Sequence, residues 1–438
     1  MKKVLLIVVT SFIFALAFGY FYFNKNSFII TGYVAKKMCG CHFHSGRTLV
    51  DIENTDLANF PLNLAQSQIS ENGVFPKVTA TLFGHWSSTV LYDKLRGCVL
   101  ISKKSEPLKT QPPSKLKQQA GPFVEGITAE FNKSALAKVF DFAFKEEHDT
   151  RALLIIHKDT IVGEKYGYGF NANIPQLGWS MNKSISNALA AILVKQGRLK
   201  LTQDHLFPEW SDERDKITVN DLLQMQSGLD WEEIYDKDED ATQLLFNAYS
   251  CSDFAINKNL EASPGTYWEY SSGTSNIISH LIRDKVGTTD ELYWNFVRTE
   301  LMEKIGMNSL VIDTDQNGNQ ILSSYGYATP RDWAKFGRLY LNDGVWNNEK
   351  IFPEGWVEYT HTPATHSEGK YGAQFWLNKN YVQFKYAPEE LYYCSGFEGQ
   401  YVFIIPSKDL VIVRMGLKSH PDFNVDKLFE LINQSYKF

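Results

Sequence analysis

Two pairs of apolar segments, far apart in the chain, constrain the fold most. Residues 152–157 and 161–166 flank one short turn, and residues 400–405 and 410–415 flank another. Both pairs are rich in β-branched residues and have the length of hairpin strands. The sequence between them has mainly helical spacing. Strands at both ends with helices between predict one α+β domain, with a sheet assembled from the two ends and a helical insertion.

The N-terminus differs from the rest of the chain. Residues 4–23 carry no charge and follow Lys2 and Lys3. Such a segment is long enough to span a bilayer, and the lysines favour a cytoplasmic start. Small residues at 15–17 resemble a cleavage signal, but the apolar run continues past them. We therefore expect residues 1–26 to be a signal or, by preference, an uncleaved inner-membrane anchor, with an exported, periplasmic remainder.

Composition divides the remainder into three parts. Residues 27–104 are predicted to form a small strand-rich unit of unknown role, with strands at 78–83 and 97–101. Residues 105–124 are rich in Pro, Lys, Gln and Ser, which is typical of a linker. Residues 125–438 then form the main domain. The formal net charge of -6 leaves no basic stripe, so nucleic acid is not an expected partner.

Cysteine placement agrees with an oxidising compartment. Cys98 is expected to pair with either Cys39 or Cys41, and the sequence leaves both pairings open. The run from Cys39 to His44 also has metal-ligand residue types. No second ligand pair at zinc-site spacing follows, so a disulfide is preferred to a metal, and no cofactor is expected.

Ser180 and Lys183 form the most informative short motif. The pattern Ser-x-x-Lys also occurs at Ser114 and Ser367, but only Ser180 opens a long segment with helical periodicity. Residues three apart on a helix share a face, and a lysine kept neutral by burial can activate a serine hydroxyl. The alternative is that Ser180 is only a helix cap and that Lys183 is solvated.

Two further segments supply what such a serine would need. Tyr270 beside a lysine would have a lowered pKa and could act as a base and then as an acid. Gly396 permits close approach of the backbone to a substrate, so the N–H groups of Phe397 and Ser180 could form an oxyanion hole. The alternatives are a core tyrosine and a glycine-containing strand entry without chemistry.

The order and spacing of these motifs resemble those of the serine β-lactamase-related hydrolases. The resemblance covers roughly residues 130–436 and includes the segments at 179–184, 217–229, 264–272 and 329–344. Details near 399–411 and at Trp179 and Trp231 are most similar to the 6-aminohexanoate-dimer hydrolase and esterase branch. The implied fold is an antiparallel sheet flanked by helices plus a helical subdomain.

The same resemblance implies roles for individual residues. Ser180 would be the acylated nucleophile, Lys183 its base, and Tyr270 the second general base. Substrate-binding and pocket candidates are named from the same motifs: Trp179, Ser272, Ser395 and Gly396, with Trp231, Tyr371, Trp376 and Phe397 as further aromatic candidates for an acyl pocket.

Two departures from the family pattern bear on substrate choice. Ser272 stands where the tyrosine motif usually has Asn, and Cys394 stands where lactam-binding members carry Lys or His. Cys394 supplies no positive charge for a substrate carboxylate, which argues against efficient β-lactam or D-Ala-D-Ala chemistry.

The leading hypothesis is an exported, metal-free serine hydrolase that cleaves small esters or amides through an acyl-enzyme. A D-alanyl-D-alanine peptidase or β-lactamase, acting on a peptide or lactam, and a non-catalytic envelope binding protein stay open as alternatives.

Overall fold

A computed structural model of the chain describes residues 2–101 and 122–436. Most of the predicted linker, residues 105–121, lies outside this part. Within it, α-helices span Lys2–Phe43 (α1), Leu49–Thr55 (α2), Lys133–Ala143 (α3), Asn182–Lys195 (α4), Val219–Leu223 (α5), Asp240–Phe246 (α6), Cys251–Ile256 (α7), Ser272–Val286 (α8), Asp290–Val297 (α9), Glu303–Ile305 (α10), Pro330–Leu341 (α11), Trp356–His361 (α12) and Val425–Ser435 (α13).

The strands in the described part fall into four sheets. Their bounds are Ala65–Ser70 (β1), Lys77–Leu82 (β2), Trp86–Asp93 (β3), Gly97–Ile101 (β4), Val124–Glu125 (β5), Thr150–His157 (β6), Thr160–Tyr166 (β7), Gln176–Leu177 (β8), Val311–Ile312 (β9), Gly326–Ala328 (β10), Val345–Trp346 (β11), Glu349–Lys350 (β12), Trp376–Leu377 (β13), Tyr392–Gly396 (β14), Gln400–Ile405 (β15) and Leu410–Gly416 (β16).

The main sheet joins the two ends of the domain, as predicted. Its seven strands have the order β13-β14-β15-β16-β6-β7-β5, and the hairpins β6–β7 and β15–β16 meet where β16 pairs with β6. Neighbouring strands are antiparallel except the short edge strand β5, which runs parallel to β7. The expected α+β class, with a sheet flanked by helices and a helical subdomain, is therefore confirmed.

Helices cover both faces of this sheet. Successive side chains of a strand point to opposite faces, and in β6 both sets are apolar and need to be buried. Leu154 and Ile156 of β6 face the core that contains α4, α8 and α11, whereas Leu153 and Ile155 face α3 and α13. Helix α4 lies deep in the first core and is buried from Asn182 to Leu193. The helical subdomain therefore packs on the same side of the sheet as α4.

The N-terminal region is not uniformly strand-rich. Residues 27–43, placed in that unit from sequence, continue the apolar helix, so α1 is one helix of 42 residues. Strands follow only later, as the four-stranded antiparallel sheet β1-β2-β3-β4, in which β2 and β4 match the predicted strands. The reason is that residues 27–43 are buried on nearly all sides and lack the exposed polar face by which a surface helix is recognised.

Helix α1 has two different halves. Many of the described apolar side chains in its early half are exposed, including Val4 at 65% and Phe18 at 74%. By length and composition, α1 is the one helix in the described part that could cross a membrane. The later half is enclosed: Val34, Met38 and Cys39 pack against the four-stranded sheet, while its other face contacts the main domain.

A disulfide joins this helix to the small sheet. Cys39 and Cys98 are bonded, whereas Cys41 is buried and free. The bond resolves the two pairings that the sequence left open. Cys98 lies near His44 and Asp313, and the ligand atoms of these three residues are close enough together to hold a metal ion. The disulfide leaves Cys98 without a thiolate for such a site.

We predict that this pairing controls the stability of the N-terminal unit. The bond closes a loop between residues 59 apart, so Cys98→Ala should lower the free energy of unfolding by about 2–4 kcal/mol. Alkylation of the denatured, unreduced protein followed by peptide mapping should label Cys41 but neither Cys39 nor Cys98. Labelling of Cys39 together with protection of Cys41 would contradict this pairing.

Candidate active site

Ser180 lies on a 3₁₀ turn, Trp179–Met181, that connects β8 to the buried helix α4. Trp179 has φ +49°, a left-handed conformation that costs energy for a bulky residue and that often marks a functional site. The end of β14 lies directly against this turn, because a Cβ at Gly396 would lie 2.1 Å from the carbonyl oxygen of Gly178. The fold thus brings the two predicted oxyanion segments together.

Lys183 lies one turn further along, with its amine aimed at Ser180. Its Nζ donates hydrogen bonds to Ser180 Oγ (3.1 Å), Ser272 Oγ (3.0 Å) and the carbonyl oxygen of Ser323 (3.1 Å). Burial lowers the pKa of Lys183 to about 8, although the Glu233 carboxylate opposes that shift. Lys183 is then neutral in about one protein molecule in ten at pH 7, and the neutral amine is the form that can accept a proton.

Glu233 is the main site residue that no sequence motif identifies. Its carboxylate lies 3.9 Å from Lys183 Nζ and accepts hydrogen bonds from the Ser272 hydroxyl (2.5 Å) and from Trp231 Nε1 (2.6 Å). Tyr235 also donates to it. Ser272 thus links Lys183 to Glu233. The only available signal was an acidic pair following Trp231, which does not indicate a contact across the site.

Tyr270 completes the cluster, but the expected direction of its pKa shift is wrong. Lys183 Nζ lies 4.7 Å from the centre of the Tyr270 ring, and Tyr371 and Trp376 pack against that ring. Burial, and then Glu233, raise the pKa of Tyr270 well above its ordinary value, although a hydrogen bond with Ser180 opposes this. Desolvation therefore outweighs the effect expected from the lysine, and Tyr270 is a neutral phenol in the resting site.

A small cavity of about 70 Å³ opens beside Ser180. Its walls are aromatic or aliphatic except for two serines, and no described residue that lines it carries a charge. The lining residues are Tyr33, Trp179, Ser180, Tyr235, Leu245, Phe246, Ser324 and Phe397. Trp179 and Phe397 were predicted for such a pocket. Trp231, Tyr371 and Trp376 instead surround Glu233 and Tyr270, outside this wall.

The strand β14 supplies the remaining predicted residues. Cys394 is buried and forms a hydrogen bond with the Ser184 side chain. An uncharged thiol therefore occupies the position at which lactam-binding members of the family carry Lys or His. Ser395 pairs with Tyr401 on β15 and is half-buried. Phe397 packs edge-on against Trp179, with ring centres 5.6 Å apart. Among the described residues, no acceptor takes a hydrogen bond from the Phe397 N–H.

The other two Ser-x-x-Lys patterns do not build such a site. Ser114 and Lys117 lie outside the described residues. Ser367 donates to the carbonyl oxygen of Tyr371, and Lys370 pairs with Glu368. Within residues 2–101 and 122–436, the pattern at Ser180 is therefore the only one of the three that builds such a cluster. The cluster consists of Ser180, Lys183, Tyr270 and Ser272.

The sequence matches one family model and is similar to a known hydrolase. The family model described as Beta-lactamase matches residues 143–437. A 6-aminohexanoate-dimer hydrolase of Paenarthrobacter ureafaciens is 24% identical over 305 residues, which cover 63% of this chain and 75% of that protein.

Solved structures agree at the level of the fold. A family VIII carboxylesterase superposes with a TM-score of 0.55 at 15% identity, covering 73% of this chain and 100% of that one. A penicillin-binding protein homologue from Caulobacter crescentus superposes with a TM-score of 0.52 at 17% identity, covering 70% and 98%.

We predict that Glu233 limits the fall in the pKa of Lys183 that burial causes. Glu233→Gln removes the charge that raises this pKa, so the Lys183 pKa should fall below its wild-type value near 8. Titration of ε-¹³C-labelled lysine by NMR measures the shift, with Lys183→Met identifying the resonance. Glu232→Gln, at the exposed neighbouring carboxylate, is the matched control and should leave the pKa unchanged. An equal shift in both variants would refute the assignment.

Proposed function

This chain belongs to the beta-lactamase family of hydrolases, and we propose that it is an exported enzyme that cleaves small ester or amide bonds through an acyl-enzyme on Ser180. The observation that carries the proposal is the hydrogen bond between Ser180 and a buried Lys183 whose pKa lies near 8. A binding protein has no need of a nucleophile paired with a base of that pKa, whereas acyl transfer at neutral pH requires one.

Acylation begins with neutral Lys183. Its Nζ takes the Ser180 proton while Oγ attacks the substrate carbonyl carbon. The backbone N–H groups of Ser180 and Phe397 donate to the oxyanion. Collapse of this intermediate breaks the bond to the leaving oxygen or nitrogen, and the phenol of Tyr270 protonates that atom. The high resting pKa of Tyr270 supports this order, in which Tyr270 acts first as an acid.

Deacylation returns both protons. The tyrosinate left on Tyr270, next to the ammonium of Lys183, takes a proton from a water molecule that attacks the acyl carbon. Lys183 then returns its proton to the departing Ser180 oxygen. Each group ends in its starting state, and the products are a carboxylic acid and an alcohol or amine. Glu233 stabilises the transient ammonium on Lys183 from 3.9 Å.

The cavity wall limits the substrate class. Its apolar lining and lack of charged groups favour an uncharged acyl group over one that bears a carboxylate. Cys394 in place of a family cation supports the same choice. The curated relative is named for hydrolysis of the 6-aminohexanoate dimer, which supports amides as substrates beside esters.

The exposed apolar half of α1 supports a membrane anchor. An unbroken uncharged stretch follows two lysines, and many of its described apolar side chains, from Val4 to Phe18, are exposed. We infer that the catalytic domain is held at the periplasmic face of the inner membrane by this segment.

We predict that Ser180→Ala abolishes ester hydrolysis. The rate of p-nitrophenyl butyrate cleavage, as kcat/KM, should fall by at least about 10³-fold, because the nucleophile is lost and binding is not. The circular dichroism spectrum and melting temperature should stay close to those of the wild type.

The matched control is Ser114→Ala, which changes the serine of another Ser-x-x-Lys pattern and should retain full activity. A Ser180→Ala protein with wild-type turnover would eliminate the proposed nucleophile. Labelling of Ser180 by a fluorescent penicillin, competed by peptides ending in D-Ala-D-Ala, would instead indicate the peptidase alternative.

We also predict that residues 2–23 are required to hold the protein on membranes. The full chain should sediment with the membrane fraction and resist an alkaline carbonate wash, which removes peripheral proteins. A chain lacking these residues should stay in the supernatant and keep its esterase activity. Release of the full chain by carbonate would contradict the anchor.

A further inference from the structure

The N-terminal helix reaches the cavity at Ser180. Helix α1 crosses α6 at Gly32, where a Cβ would lie 3.0 Å from Cβ of Phe246. The absence of a side chain at Gly32 lets the two helices approach closely. The next residue, Tyr33, then lines the cavity and stacks on Trp179 with ring centres 5.7 Å apart. One wall of the cavity therefore comes from a segment outside residues 143–437, to which the family match is confined.

A second connection runs through Glu398, which follows the proposed oxyanion residue Phe397. The Glu398 carboxylate accepts hydrogen bonds from Lys37 Nζ (2.9 Å), Trp179 Nε1 (2.9 Å) and the Tyr33 hydroxyl (3.2 Å). Two of these three donors belong to α1. The third is the residue immediately before Ser180, so one carboxylate joins the helix to both oxyanion segments.

The backbone at this turn requires such support. Glu398 has φ +64° and Gly399 has φ +79°, so two consecutive residues adopt the left-handed conformation. For a glutamate this conformation is disfavoured and persists where surrounding contacts stabilise it. The hydrogen bonds from Lys37 and Trp179 therefore hold the turn that presents the Phe397 N–H.

The charge of Lys37 is directed at Glu398. Lys37 also lies 3.3 Å from Asp56, but that carboxylate is already paired with Arg47 and Arg151, each at 2.6 Å. Among the described residues, Lys37 forms the one ion pair with Glu398. Removal of Lys37 would leave this partly buried carboxylate without its counter-charge, which is costly, and would weaken the contacts that hold the Phe397–Gly399 turn.

We propose that α1 is part of the active site, with Tyr33 as a specificity-determining wall of the acyl cavity and Lys37 as a positioning residue for the turn at Phe397. The inference rests on the proposed acyl-enzyme at Ser180. A cavity of about 70 Å³ accommodates about five water-sized groups. The substrate class is therefore short, uncharged acyl chains, and the ring of Tyr33 limits their length.

Acyl-chain selectivity tests the role of Tyr33. Full-length protein in detergent is assayed with p-nitrophenyl butyrate and p-nitrophenyl octanoate. Tyr33→Ala should raise the ratio of kcat/KM for octanoate over butyrate by at least about tenfold, because the shortened wall admits the longer chain. Tyr33→Phe keeps the ring and should keep the wild-type ratio. Tyr22→Ala, on the exposed part of the same helix, is the matched control and should also keep it.

A split between kcat and KM tests the role of Lys37. Lys37→Met should lower kcat for the butyrate ester by about tenfold or more, since the oxyanion donor is no longer held, with little change in KM. Lys37→Arg should restore most of the lost kcat. Lys36→Met removes the neighbouring buried pair with Asp313, which lies away from the turn, and should lower stability without changing kcat of the folded protein.

The outcomes separate the two proposals. If wild-type protein cleaves neither ester, the proposed function fails and this inference fails with it. If the wild type is active through Ser180 but Tyr33→Ala leaves the chain-length ratio unchanged, the specificity role is wrong while the function stands. If Lys36→Met and Lys37→Met lower kcat equally, or Lys37→Arg does not rescue it, the helix has only a structural role.

Discussion

The burial of one amine is the constraint on which the rest of the site depends. A lysine inside a protein is unfavourable in its charged form, so its pKa falls, and its hydrogens need acceptors. Lys183 finds those acceptors in two serine hydroxyls and the carbonyl oxygen of Ser323. Glu233 then limits the fall by stabilising the charged form. Desolvation and one carboxylate together place the amine near the pKa that a base needs at neutral pH.

Two glutamates have parallel roles, one beside Lys183 and one beside the turn at Phe397. Glu233 collects donors from Ser272, Trp231 and Tyr235 beneath the lysine, whereas Glu398 collects donors from Trp179 and α1 beside the oxyanion turn. Each carboxylate is satisfied by several hydrogen bonds, which is the usual condition for a charge at a partly buried position. Neither belongs to the short motifs by which the site is recognised.

The difference between local and distant contacts explains which features could be predicted. The two hairpins and the Ser180–Lys183 pair depend on spacing of a few residues, and their pattern is visible in the sequence. Glu398 meets Tyr33 across 365 positions, and no periodicity signals such a contact. The pKa of Tyr270 was expected to fall because the lysine was identifiable, whereas the burial that raises it was not. The helix at residues 27–43 could not be predicted from an amphipathic pattern, because the small sheet covers one side of the segment and the main domain covers the other.

The continuity of α1 fixes a distance. The helix continues without interruption from Phe23 to Tyr33, and these ten residue steps separate the end of the apolar stretch from the cavity by about 15 Å. With the apolar stretch in a bilayer, the nucleophile would work at a constant height just above the lipid headgroups. Such an enzyme would diffuse in two dimensions along the membrane surface. The substrates that it meets most often would be those that concentrate at that surface.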